Sequence, residues 1–165
     1  MNEQLIDQFI ETWGAMGRAW GVNNSVARIH GLLIITDRAW CIDEIVERLQ
    51  ISKSNVSTSL KELRSWNVTR KIFQPGDRKE YFVCEPNAWE MLFNIMRQRK
   101  QREFDPILTG VAATYARAQE DSAGIAVDRL EQMKNMLDTF DRLAKMALAS
   151  EAQMKGMIEF ITGKK

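Results

Sequence analysis

Histidine is almost missing from this sequence, with His30 alone among 165 residues, and cysteine and tyrosine are scarce at two residues each. Cys41 and Cys84 stand far apart with no CxxC pairing, so the sequence lacks both the soft ligands of a structural zinc cage and a disulfide framework. We therefore expect no metal and no cofactor. Long apolar runs are absent too: the longest, from Gly31 to Thr36, falls far short of the roughly 18 residues a bilayer span needs. The opening stretch MNEQLIDQFIETW has acids and an amide where a secretory signal has basic residues, and no small-residue cleavage site follows. The expectation is a cytoplasmic protein with no membrane partner. One histidine, no P-loop glycine pattern and no GxSxG elbow also argue against an enzyme. What is present, 45% hydrophobic and 27% charged residues, belongs to a folded globular chain.

The net charge of +1 hides a strong local asymmetry. Residues 52–79 carry seven basic side chains (Lys53, Lys61, Arg64, Arg70, Lys71, Arg78 and Lys79) against Glu62 and Asp77, a net of +5. Residues 1–51 sum to −3, 80–120 to −1 and 121–165 to zero. A basic patch confined to one short stretch of a near-neutral chain is the footprint of a nucleic-acid contact, although a solvated basic face has the same composition.

Helical spacing begins at once, with Leu5, Ile6, Phe9, Ile10, Trp13 and Met16 on one face; Gly14, Gly17 and Gly21 then loosen the pattern. A second helix, capped by Asn24 or Ser25, runs through Val26, Ile29, Leu32, Leu33 and Ile35, and its nearly all-apolar surface marks it as a central, buried helix. After a turn at Thr36, Asp37 and Arg38, residues 41–49 read as a short third helix with Ile42, Ile45, Val46 and Leu49 inward. The acids of its first turn suit the helix dipole.

Residues 52–64 predict a fourth helix whose only large apolar residues are Val56, Leu60 and Leu63. So narrow a stripe exposes most of the surface, and the exposed positions are hydroxyls, an amide and lysines, which are indifferent helix formers but good donors to phosphates and base edges. Ser52 is the N-cap, and orphan N–H groups beside it favour a phosphate. Ser52, Lys53, Ser54, Asn55, Ser57, Thr58 and Lys61 are the candidate DNA-binding residues, with Lys53 and Asn55 best suited to base edges. Residues 69–74 and 80–84 are rich in aromatic and β-branched side chains, and Pro75, Gly76, Asp77 and Arg78 between them form a turn sequence. The expectation is a hairpin with Arg78 and Lys79 at its tip, contacting phosphate or the minor groove. Arg64 and Arg70 join the candidates, with plain surface charge as the equal alternative. Helix, turn, hydroxyl-rich helix and basic hairpin follow the order of a winged helix-turn-helix.

Beyond Pro86 the chain returns to helix, with Trp89, Leu92, Phe93 and Met96 on one side. The run Arg97, Arg99, Lys100 and Arg102 reads as a solvated helix end. Asp105 followed by Pro106 predicts a fresh helix to about Glu120. Ala126, Leu130, Met133, Leu137, Phe140, Ala144 and Ala147 then recur at steps of four and three, continuing past Glu151 to Met154, Ile158 and Ile161, with a bend allowed at 149–150. This is a heptad seam, and a second copy of the chain is its simplest partner. Leu130, Met133, Leu137, Phe140, Ala144 and Ala147 are the candidate dimer interface.

Residues 43–63 together with Pro75, Gly76, Asp77, Arg78, Lys79, Glu80 and Tyr81 resemble the GbsR-type branch of the MarR-like transcriptional regulators. The most specific parts are Ser52, Lys53 and Ser54 before Val56, Ser57 and Leu60, and the Pro-Gly-Asp-Arg-Lys wing tip. The resemblance implies a homodimeric regulator, commonly a repressor, that binds a pseudo-palindromic operator and answers to a ligand or protein signal. Members of that branch named for glycine betaine synthesis control osmoprotectant genes, and the effector that the resemblance implies there is choline, an osmoprotectant precursor.

The expected fold is therefore mainly α: a winged helix-turn-helix with a small β-hairpin wing and a C-terminal helical dimerisation region. Residues 1–21 form an N-terminal helix in the dimer interface, 22–86 the DNA-binding domain and 87–165 the dimerisation helices. Five tryptophans invite a quaternary-ammonium cage, with Trp20 and Tyr115 the loosest candidates, but core and interface packing is the commoner use. His30 is expected buried and hydrogen-bonded, and the two thiols packed rather than redox-active. The competing function is a winged-helix protein–protein interaction module without specific DNA binding.

Overall fold

The structure, a computed structural model, describes residues 2–121, 124 and 126–149. Asparagines start the first two helices: Asn2 Oδ1 accepts from the Leu5 N–H at 3.3 Å, and Asn23 Oδ1 from the Ser25 N–H at 2.8 Å. These caps open α1 (Glu3–Ala19) and α2 (Asn24–Thr36), so α2 is capped one residue earlier than the sequence suggested. Gly14 and Gly17 do not loosen α1; they are buried where α2 crosses it, and a Cβ on Gly17 would lie 2.4 Å from that of Ala27. As expected, α2 is buried along most of its length, with Ile29, Leu32 and Leu33 fully enclosed.

A left-handed Asp37 ends α2, and β1 (Trp40–Cys41) leads into α3 (Ile42–Leu49). Glu44 Oε2 accepts from the Cys41 N–H at 2.7 Å and so satisfies one of the orphan donors at the start of α3. In α4 (Lys53–Ser65) the Ser52 Oγ accepts from the Asn55 N–H at 3.2 Å, the expected cap. Val56, Leu60 and Leu63 are fully buried and fix α4 against α2 and α3. Burial of each is worth about 1.5–3 kcal/mol.

Strands β2 (Thr69–Phe73) and β3 (Glu80–Cys84) form the antiparallel hairpin, in a register that pairs Thr69 with Cys84 and Phe73 with Glu80. Gly76 at φ 82° makes the turn at the tip. The two residues of β1 add to the other side of β3, pairing Trp40 with Phe82, which gives the sheet order β1-β3-β2. Ile10, Ile29, Leu32, Ile45, Leu60 and Phe82 belong to one hydrophobic cluster that joins the sheet to the first four helices.

Helix α5 (Ala88–Arg99) passes into a π-helical segment, Lys100–Phe104, and then α6 (Asp105–Glu120). The sequence predicted a break at Asp105, but its backbone is helical. Pro106 has no N–H for the preceding turn and its ring crowds that turn's carbonyl; a wider π turn just before it accommodates both. The chain divides into two compact units, Met1–Ile95 and Met96–Lys165. In the second, α6 packs against α7 (Val127–Ala149). Lys100 pairs there with Asp105 at 2.5 Å and with Asp141 at 2.7 Å, and Lys145 pairs with Asp141 at 2.7 Å. Those cations hold the Asp141 carboxyl below the usual carboxylate range. Among the described residues no helix is long and apolar enough to cross a membrane.

The heptad seam splits between two surfaces of α7. Leu137 is buried within the single chain, and Leu130, Ala144 and Ala147 are half-buried. Met133 and Phe140 are exposed, and with Met136, Leu143 and Met146 they leave an apolar stripe on the surface. The seam's continuation through Met154, Ile158 and Ile161 lies outside the described residues.

Candidate nucleic-acid interface

The cap at Ser52 and the narrow apolar stripe of α4 together decide which side chains face outward. Ser52, Lys53, Ser54, Ser57, Thr58, Lys61 and Arg64 are all exposed. Asn55 is not: it is half-buried, its Nδ2 donates to Ser25 Oγ at 2.8 Å, and its Oδ1 accepts from the buried Ser59 hydroxyl at 3.4 Å. The residue that looked best suited to a base edge therefore ties α4 to the start of α2. Lys53, the other, lies 2.8 Å from Asp43, and that lysine keeps the Asp43 carboxyl below its ordinary value. Both partners are well exposed, so the pair is weak in water and can open for a phosphate.

Behind α4, a cavity of ≈ 690 Å³ separates the helix from the hairpin. Its floor is apolar, from Ile42, Leu60 and Phe82, and its walls carry Lys61, Arg64, Arg70 and Lys71. Lys71 is tied to Glu80 across the hairpin. Thr69, also on the wall, is buried, and its hydroxyl has no partner among the described residues. The cavity thus presents a concentration of positive charge above an apolar base, at the boundary of the two elements that bear the candidate residues.

At the tip of the hairpin the Asp77 carboxylate accepts from the Lys79 N–H at 2.9 Å and from the Tyr81 hydroxyl at 2.8 Å. These bonds hold the Asp77 carboxyl below the usual carboxylate range, and the same contact pushes the Tyr81 hydroxyl up to about 12. With the carboxylate occupied by the turn itself, Arg78 and Lys79 extend into solvent. Lys79 also contributes to lowering the Asp43 pKa, after the larger effect of Lys53.

Several of the other groups singled out in the sequence have structural partners. Lys100 of the second basic run is enclosed by Asp105 and Asp141, and Arg99 lies 3.5 Å from Glu103. Trp13 stacks on Phe9 and donates its Nε1–H to His30 Nδ1 at 3.3 Å, whereas Trp40 bonds Thr36 and lies under the Arg38 guanidinium. Trp13 and Trp40 are thus engaged in separate places within the first unit. His30 is buried, and burial lowers its pKa to about 4. Burial likewise pushes the Cys84 thiol up to about 11, the opposite of what a reactive thiol needs. Sequence reasoning missed the cavity, whose walls come from residues that only the fold brings together.

No family model matches the chain. It is 30% identical over 161 residues to a protein of Bacillus subtilis named HTH-type transcriptional repressor GbsR, covering 90% of this chain and 89% of that one. It is 22% identical to the putative HTH-type transcriptional regulator YvaV of the same species, over 87% of this chain and 86% of the relative. Among solved structures, a crystal structure of a transcriptional regulator shares the fold with a TM-score of 0.69 at 20% identity, over 90% of this chain and 98% of the other.

Proposed function

The chain belongs to the GbsR-type branch of the MarR-like HTH transcriptional regulators and is a DNA-binding regulator, and on that premise we propose that it is a homodimeric repressor of a pseudo-palindromic operator. The observation that supports this reading is the cavity shared by α4 and the hairpin, where Ser57, Lys61 and Arg64 of the helix meet Arg70 and Lys71 of β2. Ser54, Ser57, Thr58 and Lys61 meet base edges in the major groove. Ser52 at the helix start, Lys53, Arg64 and Arg70 hold phosphates, and Arg78 and Lys79 reach backbone or minor groove. Asn55 sets the angle at which α4 is presented. Residues 22–86 do the reading, while helices within 1–21 and 87–165 join two copies through the exposed stripe of α7. The two α4 helices then enter successive major grooves about 34 Å apart.

A small effector such as an osmoprotectant precursor acts by binding unequally to two spacings of the recognition helices, a coupling of about 1–3 kcal/mol. The test is fluorescence anisotropy of the protein on duplexes from upstream of its own gene and on scrambled duplexes, at about 0.15 M salt. A preference of roughly a thousandfold for one fragment is the expected result. Weak binding that treats all duplexes alike would turn the reading toward a winged-helix interaction module.

A further inference from the structure

An aromatic side chain on an exposed strand edge is a liability, because unpaired backbone groups beside an apolar surface invite association with other chains. Phe73 is in that position. At 69% exposure it is the most exposed large apolar side chain among the described residues, and it ends β2, an edge strand of the sheet. Alternation along β2 puts Phe73 on the same face as Thr69 and Lys71, and the register makes Glu80 its cross-strand neighbour. Thr69, Lys71 and Glu80 all line the cavity behind α4. Phe73 therefore stands on the cavity side of the hairpin, one step further toward the tip.

The charges around the ring are arranged for an anionic neighbour. The Lys71 ammonium lies 4.9 Å from the ring centroid and also pairs with Glu80, so these two charges cancel and the uncompensated cations are those of the tip. Arg78 and Lys79 follow across the turn, and the Asp77 charge is taken up by the turn's own donors. An apolar ring bordered by cations matches one surface chemistry, in which phosphates meet the cations while sugar and base faces meet the ring.

Resting on the reading of this face as the DNA interface, we infer that Phe73 is a minor-groove wedge. Its ring enters the groove beside the tip cations and partly unstacks a base step, bending the duplex where the hairpin meets it. Pyrimidine–purine steps unstack most easily, so Phe73 confers a preference for TA or CA at a position that no hydrogen bond reads. The ring carries no charge, so the salt dependence of binding stays with the lysines and arginines.

The test starts with duplexes of about 30 base pairs enriched from a random pool by the full-length wild-type protein, whose bend is read by energy transfer between end labels. Phe73→Ala should lose about tenfold in affinity for the enriched duplexes, together with the bend and the TA or CA preference, with an unchanged slope of log affinity against log salt. Phe73→Leu, which keeps an apolar wedge, should retain most of both, and circular-dichroism melting of both variants should match the parent because the ring is exposed. A Phe73→Ala protein that binds and bends DNA as the parent does, while Lys79→Ala weakens binding, overturns the wedge and leaves the DNA interface standing. A wild-type protein that enriches no duplex overturns both.

Discussion

His30 occupies a place where a positive charge has no support. Its Nδ1 accepts from Trp13, which leaves the single proton on Nε2, and burial keeps the folded-state pKa at about 4 against 6.5 for an open imidazole. Between those values the unfolded chain binds a proton that the folded chain refuses. The stability owed to neutral His30 is therefore complete above about pH 6.5 and falls away as the pH drops toward 4, by about 3 kcal/mol in all. His30→Gln retains an acceptor for Trp13 without titrating, so its urea midpoint should vary less with pH across that window than the parent's. Parallel decline of parent and variant would assign the loss to carboxylates instead. Asn55 is the second residue whose role is decided by its partners. Removing its amide in Asn55→Ala leaves the Ser25 and Ser59 hydroxyls unpaired and should cost about 1–2 kcal/mol of unfolding free energy. A double-mutant cycle with Ser25→Ala should show coupling of about 1 kcal/mol, with base preference unchanged; a relaxed preference at one base and no coupling would return Asn55 to the DNA.

Single elements were legible in the sequence in proportion to how local their causes are. The start of α4 could be read because capping involves Ser52 and the three residues after it, and its exposure because three apolar residues cannot cover a thirteen-residue helix. The hairpin was legible from its turn residues and the aromatic and β-branched residues on either side. β1 was not, since two residues show no period; it exists because β3 had an unused edge. The π segment was missed because the sequence marks only the proline, not how the backbone accommodates it. Of the candidate interface, the cations could be counted from the sequence but not placed: the fold brings Arg70 and Lys71 of β2 opposite Lys61 and Arg64 of α4. This placement divides labour between the elements. Lys79→Ala should weaken specific and scrambled duplexes by a similar factor and lower the salt slope by about 1, whereas Thr58→Ala should alter the preference at one base in each half-site. Identical effects of the two substitutions on all duplexes would remove base reading from α4.

For the whole molecule, the division of the α7 seam decides how assembly is to be tested. Leu137 already has its partners inside one chain, so Leu137→Asp would bury a carboxylate against α6 and damage the second unit itself, whatever happens between chains. Phe140 is 58% exposed and can accept an acid without disturbing that packing. If two copies meet through the stripe of Met133, Met136, Phe140 and Leu143, then Phe140→Asp should convert a sedimenting dimer to a monomer at micromolar concentration while the helical signal holds and the melting midpoint loses its dependence on protein concentration. The same variant separates assembly from DNA reading. One winged unit keeps its α4 and tip, so it should still bind a half-site weakly, but it forfeits the gain from linking two half-sites, which is commonly 10²–10⁴ in affinity. A Phe140→Asp protein that still sediments as a dimer would move the interface to other exposed apolar side chains, such as Leu5 of α1, Trp89 and Met96 of α5 or Ile107 of α6, and would leave the α7 stripe for a different partner.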